Sequence, residues 1–217
     1  MQKCPIILKR LEEVKKFRQN STKAATVKWA QNPGLFTENR QPKSDFILLP
    51  RHSSENRSYI PFGFFTPNSI VADSCNSIPN ATLFHFGIIS SLMHVIWIKT
   101  VCGRIKSDFR YSNDIVYNNF PWPENPSGKQ KETIEKAAQK VLDVRAEFPN
   151  SSLADLYDPL TMPPALVKAH NELDKAVDLA YRPQPFINET KRIEFLFELY
   201  DKYTAGLFAK EKKNKKK

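Results

Sequence analysis

The segment from Gly103 to Pro123, GRIKSDFRYSNDIVYNNFPWP, sets Lys106, Asp108 and Arg110 at alternate positions ahead of a run of aromatic residues. Side chains two apart on a β-strand share a face, so a strand here aligns a donor, an acceptor and a second donor. That order fits the edge of a base pair: Lys or Arg meets guanine O6 and N7 in the major groove, and Asp meets the cytosine N4 amino group. The same spacing also fits a solvated strand face on which Lys106 and Asp108 pair with each other, a contact worth little. A second polar cluster, Arg51-His52-Ser53-Ser54-Glu55-Asn56-Arg57, sets two guanidinium groups, two hydroxyls and an imidazole ahead of a strand. Those are phosphate-contacting groups. The plain alternative is a polar turn in which Glu55 pairs with an Arg.

Patterns that would carry catalysis are missing. The six glycines include no G-x-G spacing, so no phosphate-cradling turn is expected, and no G-x-S-x-G elbow occurs. His52, His85, His94 and His170 have no neighbouring nucleophile with a third, orienting group. His85 and His94 fall in an apolar run and read as core residues. Cys4, Cys75 and Cys102 are odd in number, far apart and without metal-ligand spacing, which fits a reducing, cytoplasmic setting. Glu13-Val14-Lys15 has the spacing of a nuclease metal-and-lysine pair, but it lies on a helical pattern with no acid upstream on a strand. No catalytic or metal-binding residue is assigned.

The charge of +10 is unevenly spread. Residues 1–126 hold 16 Lys and Arg against 9 acids, residues 127–209 hold 11 against 13, and the last eight residues hold six Lys and one Glu. A polyanion would therefore meet the first part, and the tail from Lys210 to Lys217 reads as frayed and solvated. With 217 residues, 41% of them hydrophobic, the chain can bury a core. The longest apolar run, Leu83 to Val101, contains His85, Gly87, His94, Lys99 and two serines, and reads as a buried helix rather than a membrane span. No secretory signal pattern opens the sequence.

A seam at Pro121 to Ser127, PWPENPS, separates a mixed part from a helical one. Before it, the spacing of Ile7, Leu8, Leu11, Val14 and Phe17 predicts a helix over 4–20, followed by a shorter one over 21–31 that Asn32-Pro33-Gly34 stops. Extended runs follow at 45–49, 58–65 and 69–73. Then come an apolar helix over 84–101 capped by Gly103 and a strand from Arg110 to Phe120. After the seam, Ser127 with Gln130 and Ser152 with Asp155 are capping boxes. Ile134, Ala137, Val141 and Leu142 form the inner stripe of the first helix. Pro163 and Pro164 open a helix with the stripe Leu166, Ala169, Leu173, Val177 and Ala180. Asn188 caps the last helix, whose inward residues are Ile193, Leu196, Tyr200, Tyr203 and Leu207, with Gly206 near its end.

Taken together, CPIILKRLEEVKKFR, ENRQP, SSENRSYIPFGF, LFHFGIISSLMHVIW, GRIKSDFRYSNDIVYNNFPWP and SLADLYDPLTMPPALVKAHNELDKAVDLAYRP through YTAGLF resemble, in one order, the C-terminal part of MmeI-type restriction-modification enzymes. In that family one polypeptide joins an endonuclease, an adenine-specific DNA methyltransferase, a target recognition domain and C-terminal helices. The resemblance implies an α+β fold: a mixed small-sheet target recognition domain over 1–124, then an all-helical C-terminal segment over 125–217 ending in a disordered lysine tail. It implies sequence-specific recognition of double-stranded DNA on behalf of methyltransferase and nuclease domains, the partners within the parent polypeptide. The S-adenosylmethionine loop and the Asn-Pro-Pro-Tyr type motif of the methyltransferase are not in this sequence, so S-adenosylmethionine and Mg2+ are expected for the parent and no cofactor here.

By the same resemblance, Lys106 and Asp108 fall on the pair that discriminates the base pair beside the methylated adenine. They suit a G·C pair there, and so a target ending in adenine then guanine on the methylated strand. Arg110, with Ser74 from the segment 73–75, is expected to read a position farther inside the site. Arg51, Ser53, Ser54 and Arg57, joined by Arg104 and Tyr111, are the expected backbone contacts. The rival reading is a protein-interaction module that docks through its helical half.

Overall fold

The computed structural model describes residues 4–214, with side-chain surroundings for residues 4–206. They form two compact units, divided between Gln41 and Pro42. In the first, α1 (Pro5–Gln19) starts on a proline, whose fixed φ and missing N–H suit a first helical turn. α2 (Ala24–Lys28) follows and tightens into a 3-10 turn over Trp29–Gln31. Arg18 ties the unit together by donating to the carbonyls of Trp29, Asn32 and Leu35 at 3.1, 2.8 and 2.7 Å. No residue of α1 is buried, and Ile6 and Phe17 stand well out into solvent.

The second unit carries two small antiparallel sheets built from β1 (Phe46–Pro50), β2 (His52–Ser53), β3 (Gly63–Phe65), β4 (Cys75–Pro79), β5 (Gly103–Ile105) and β6 (Asp108–Arg110). Their orders are β3-β1-β4 and β2-β6-β5. In the first, Ile47 sits opposite both Phe64 and Ile78. The run read as extended over 58–65 pairs only at Gly63–Phe65, because Phe62 N–H closes a tight turn onto Ile60 O at 3.0 Å around Pro61, which has no N–H to give. The run over 69–73 is not a strand; Ser69 N–H closes a turn onto Thr66 O, and the strand lies farther on at β4.

The apolar stretch over 84–101 is two helices, α3 (Leu83–Ile89) and α4 (Leu92–Val101), bent by 53° at Ser90 and Ser91. Ser91 Oγ donates to Ile88 O at 2.7 Å, and the buried Asp174 carboxylate accepts from Leu92 N–H at 2.6 Å, so a fresh helix N-terminus is satisfied in mid-run. Among the described residues no single helix is long and apolar enough to cross a membrane, and the residues of this bent pair are mostly buried within the protein. His85 closes a capping box: its Nδ1 accepts from Thr82 N–H at 3.2 Å. Gly103 is not the helix cap; α4 ends at Val101, Cys102 is already extended, and Gly103 opens β5. The strand expected from Arg110 to Phe120 stops at Arg110, and Asn113–Tyr117 makes one π-helical turn with Asn118 N–H bonding Asn113 O at 2.8 Å.

Pro121–Ser127 has no regular structure, and four helices follow: α5 (Gly128–Ala146), α6 (Leu153–Leu156), α7 (Pro164–Tyr181) and α8 (Glu189–Asn214). Both capping boxes form, at Ser127 with Gln130 and Ser152 with Asp155, and Asn188 Oδ1 accepts from Lys191 N–H at 2.9 Å. The stripe Leu166, Ala169, Leu173, Val177 and Ala180 is buried throughout. On α5 the buried apolar positions are Ile134, Ala138, Val141 and Val144, with Ala137 and Leu142 half-buried beside them. On α8, Leu196 is buried, whereas Tyr203 is exposed and donates to Trp122 O at 2.8 Å. α8 runs on past Gly206 and into the lysine tail; the side chain of Leu207 and the last three lysines lie outside the described residues.

One apolar core joins the sheets to these helices. Gly87 marks its tightest point, because a Cβ there would stand 2.6 Å from Ile134 Cγ2 and 3.3 Å from the Ala138 Cβ. Two buried polar knots cross the same boundary. Arg145 donates to Phe62 O at 2.6 Å and to the Tyr157 hydroxyl, which also meets His170 Nε2 at 2.7 Å. Tyr59 donates to Asp174 at 2.6 Å.

Candidate nucleic-acid interface

Pairing within the second sheet fixes which side chains face out. Ile105 lies opposite Asp108, Gly103 and His52 lie opposite Arg110, and Arg104 and Ser53 lie opposite Phe109. Directly opposed residues share a face, so Asp108, Arg110, His52 and Ile105 occupy one face and Phe109, Ser53 and Arg104 the other. Phe109 is buried while Asp108 and Arg110 are exposed, which identifies the outer face. The alternation read from the sequence therefore holds for Asp108 and Arg110. It does not hold for Lys106, which is not in a strand: Lys106 and Ser107 form the two-residue turn of the β5–β6 hairpin, and Lys106 takes the left-handed backbone at φ 55°. A lysine at such a φ costs about 1–2 kcal/mol, and the fold supports that strain at the tip of the hairpin.

The three polar side chains are not used up inside the protein. Among the described residues the side chains of Lys106 and Arg110 make no hydrogen bond or ion pair, and Lys106 and Asp108 do not bridge to each other. Asp108 Oδ1 accepts one weak bond, from Glu55 N–H at 3.3 Å. Ser74 is exposed and is drawn to the same region through its carbonyl, which accepts from Arg51 N–H at 2.9 Å while Arg51 O accepts from Tyr111 N–H at 2.8 Å. Arg51 is exposed, with Nε donating to Asn76 Oδ1 at 3.0 Å and part of its fork still open.

Several expected backbone contacts are placed differently. Ser53 is 6% exposed and its hydroxyl is buried beneath the sheet, because β2 has to turn Ser53 inward to turn His52 outward. Tyr111 is 3% exposed and its hydroxyl meets His94 Nε2 at 3.0 Å, so it is a core residue, and burial raises its phenol pKa. His94 is wholly buried and neutral, its pKa lowered to about 3 by desolvation. Ser54 accepts from Asn56 N–H at 3.3 Å as part of a turn. Arg57 is half-buried and leans on the C-terminal helices, donating to Ala154 O at 3.5 Å. Arg104 is engaged within the hairpin, and it is Arg104 rather than Arg51 or Arg57 that meets Glu55, at 3.5 Å. His52 and Ile105, neither singled out as a reader in the sequence, share the outer face; the signal was a strand only two residues long, too short for any periodicity to show.

The described residues hold no group of His, Cys, Asp and Glu able to bind a metal ion. Among the described residues no glycine takes positive φ.

Fold and site together define an α+β recognition module: an exposed polar edge on a small sheet, braced by a helical base. The chain belongs to the MmeI family, matching its target recognition domain over residues 1–124 and its C-terminal domain over residues 126–208. It is 40% identical over 200 residues to DNA methyltransferase A of Bacillus subtilis (strain 168), covering 92% of this chain and 22% of that protein. It also superposes with a TM-score of 0.88, at 46% identity, on the Type IIL restriction-modification enzyme MmeI solved in complex with DNA, covering 93% of this chain and 27% of that one. The chain thus spans about a quarter of the length of these relatives.

Proposed function

We propose that this chain recognises a double-stranded DNA sequence on behalf of an adenine-specific methyltransferase and endonuclease, with residues 1–124 as the recognition part and residues 125–217 as the segment that braces it. One observation carries the reading: Asp108 and Arg110 stand side by side on the outer face of β6, with Lys106 at the hairpin tip and no ion pair to any of them. Lys106 takes guanine and Asp108 the cytosine amino group of the pair beside the target adenine, while Arg110, together with Ser74, reads farther in. Arg51 and Arg57 contact phosphates. Transfer of the methyl group, with its S-adenosylmethionine, and Mg2+-dependent cleavage belong to the rest of the parent enzyme, which works in the cytoplasm. Docking through the helical half is disfavoured because the stripe of α7 is consumed by the chain's own core.

Selection of the full chain against a randomised duplex pool at low salt, with a salt titration of the enriched sequences, tests this. Enrichment of a motif containing an A-G step supports it. Flat enrichment with a steep salt slope reduces the chain to a non-specific phosphate binder, and no binding rejects it.

A further inference from the structure

We propose that Arg104 is a positioning residue for base reading: it sets the hairpin tip so that Lys106 and Asp108 are presented as one pair. This rests on the recognition reading above and adds a residue that makes no base contact of its own. Arg104 lies on the inner side of the hairpin, opposite Phe109, with its guanidinium 4.4 Å from the centroid of that ring. From there Nη1 donates to Ser107 O at 2.8 Å and Nη2 to Lys99 O at 3.1 Å, so one planar fork ties the second turn residue to the last turn of α4. Nη1 also lies 3.5 Å from Glu55 Oε2, and Glu55 N–H is the donor that meets Asp108 Oδ1. A single side chain therefore connects the turn that carries Lys106 to the residue that orients Asp108.

The geometry explains why this has to be Arg. Lys106 is held at positive φ, a strained conformation that relaxes unless the neighbouring structure maintains it. The three groups that Arg104 meets diverge, and a fork can meet them together where a point charge cannot. A reader of a base pair must be held to within a fraction of an ångström. The outer face itself supplies no such support to Lys106, whose side chain has no partner there among the described residues.

The test uses the full chain with Arg104→Lys, which keeps the charge and loses the fork, and Arg104→Met, which keeps the apolar stem over Phe109. In the free proteins, backbone coupling constants and amide exchange at Lys106 and Ser107 report the turn; both variants should lose the positive-φ signature and exchange faster. On duplexes enriched by the wild type, both should lose discrimination at the pair read by Lys106 and Asp108 by about tenfold, keep preference at the pair read by Arg110, and keep the wild-type salt slope. Wild-type discrimination in Arg104→Lys refutes the role, as does an undisturbed turn in Arg104→Met. Uniform weakening on all sequences in Arg104→Met, with a salt slope lower by about 0.9, makes Arg104 a phosphate contact and overturns the proposal. If the wild type itself enriches no sequence while its turn is ordered, the recognition reading fails, and the positioning role fails with it.

Discussion

Exchanging the two tip readers, Lys106→Glu with Asp108→Arg, should turn around the base pair preferred beside the target adenine. Both side chains are exposed, neither belongs to the core, and the exchange gives up one hydrogen bond, from Glu55 N–H at 3.3 Å. Surface changes of this kind usually stay within about 0.5 kcal/mol of stability, and Glu at residue 106 meets the same backbone strain as Lys. The effect therefore falls on binding. Each reader is worth about 1–3 kcal/mol of discrimination, so the two together contribute about 2–6 kcal/mol, or roughly 30-fold and upward. The assay is equilibrium competition, at one salt concentration, between duplexes that differ only in that pair. A variant that melts like the wild type and still prefers the original duplex would refute the reasoning, and equal weakening on both duplexes would reassign the two side chains to the phosphates.

Three further outcomes follow from the geometry. Asp174→Ala strands the Tyr59 hydroxyl and the Leu92 N–H at about 1–3 kcal/mol each, so urea unfolding should show a loss of about 2–6 kcal/mol; a loss under 1 kcal/mol would mean that water replaces the carboxylate. Burial lifts the Asp174 pKa from 3.8 to about 6, so folding favours its protonated form, and its stabilising contribution is full below about pH 4 and lost as pH rises through about 6. The stability of the wild type relative to Asp174→Asn should accordingly fall between pH 4.5 and 7.5, and a constant difference would contradict it. Replacing Arg51 or Arg57 by Gln should weaken all duplexes alike and lower the salt slope by about 0.9 per lost phosphate contact; a loss confined to one sequence would make the residue a base reader.

Local chemistry was legible in the sequence wherever one short segment settled it. The caps at Ser127, Ser152 and Asn188 and the buried stripe of α7 form as read, because each needs only neighbours within a turn or two. Elements decided by distant partners were not legible. The apolar run breaks at Ser91 because a carboxylate 82 residues away satisfies Leu92 N–H. His94 and Tyr111 meet in the core, which removes a tyrosine that the family resemblance put among the DNA-backbone contacts. At the site, Asp108 and Arg110 fell on one face as strand parity requires, but Lys106 had no glycine beside it to announce a turn, and a three-residue strand has too short a period to expose a hairpin. Ser53 was misplaced for the same reason, since on a two-residue strand only the partner decides which side faces in.

The hairpin divides its work by strand register: Phe109 anchors it below while Asp108 and Arg110 face outward above. Because the anchoring and the outward-facing positions do not overlap, the outer residues can be replaced one codon at a time with little effect on folding. If those outer residues read the target as proposed, a lineage can change its target sequence without passing through an unfolded ancestor. Few arrangements favour evolvability so directly, since drift in specificity is decoupled from the stability threshold that culls most substitutions.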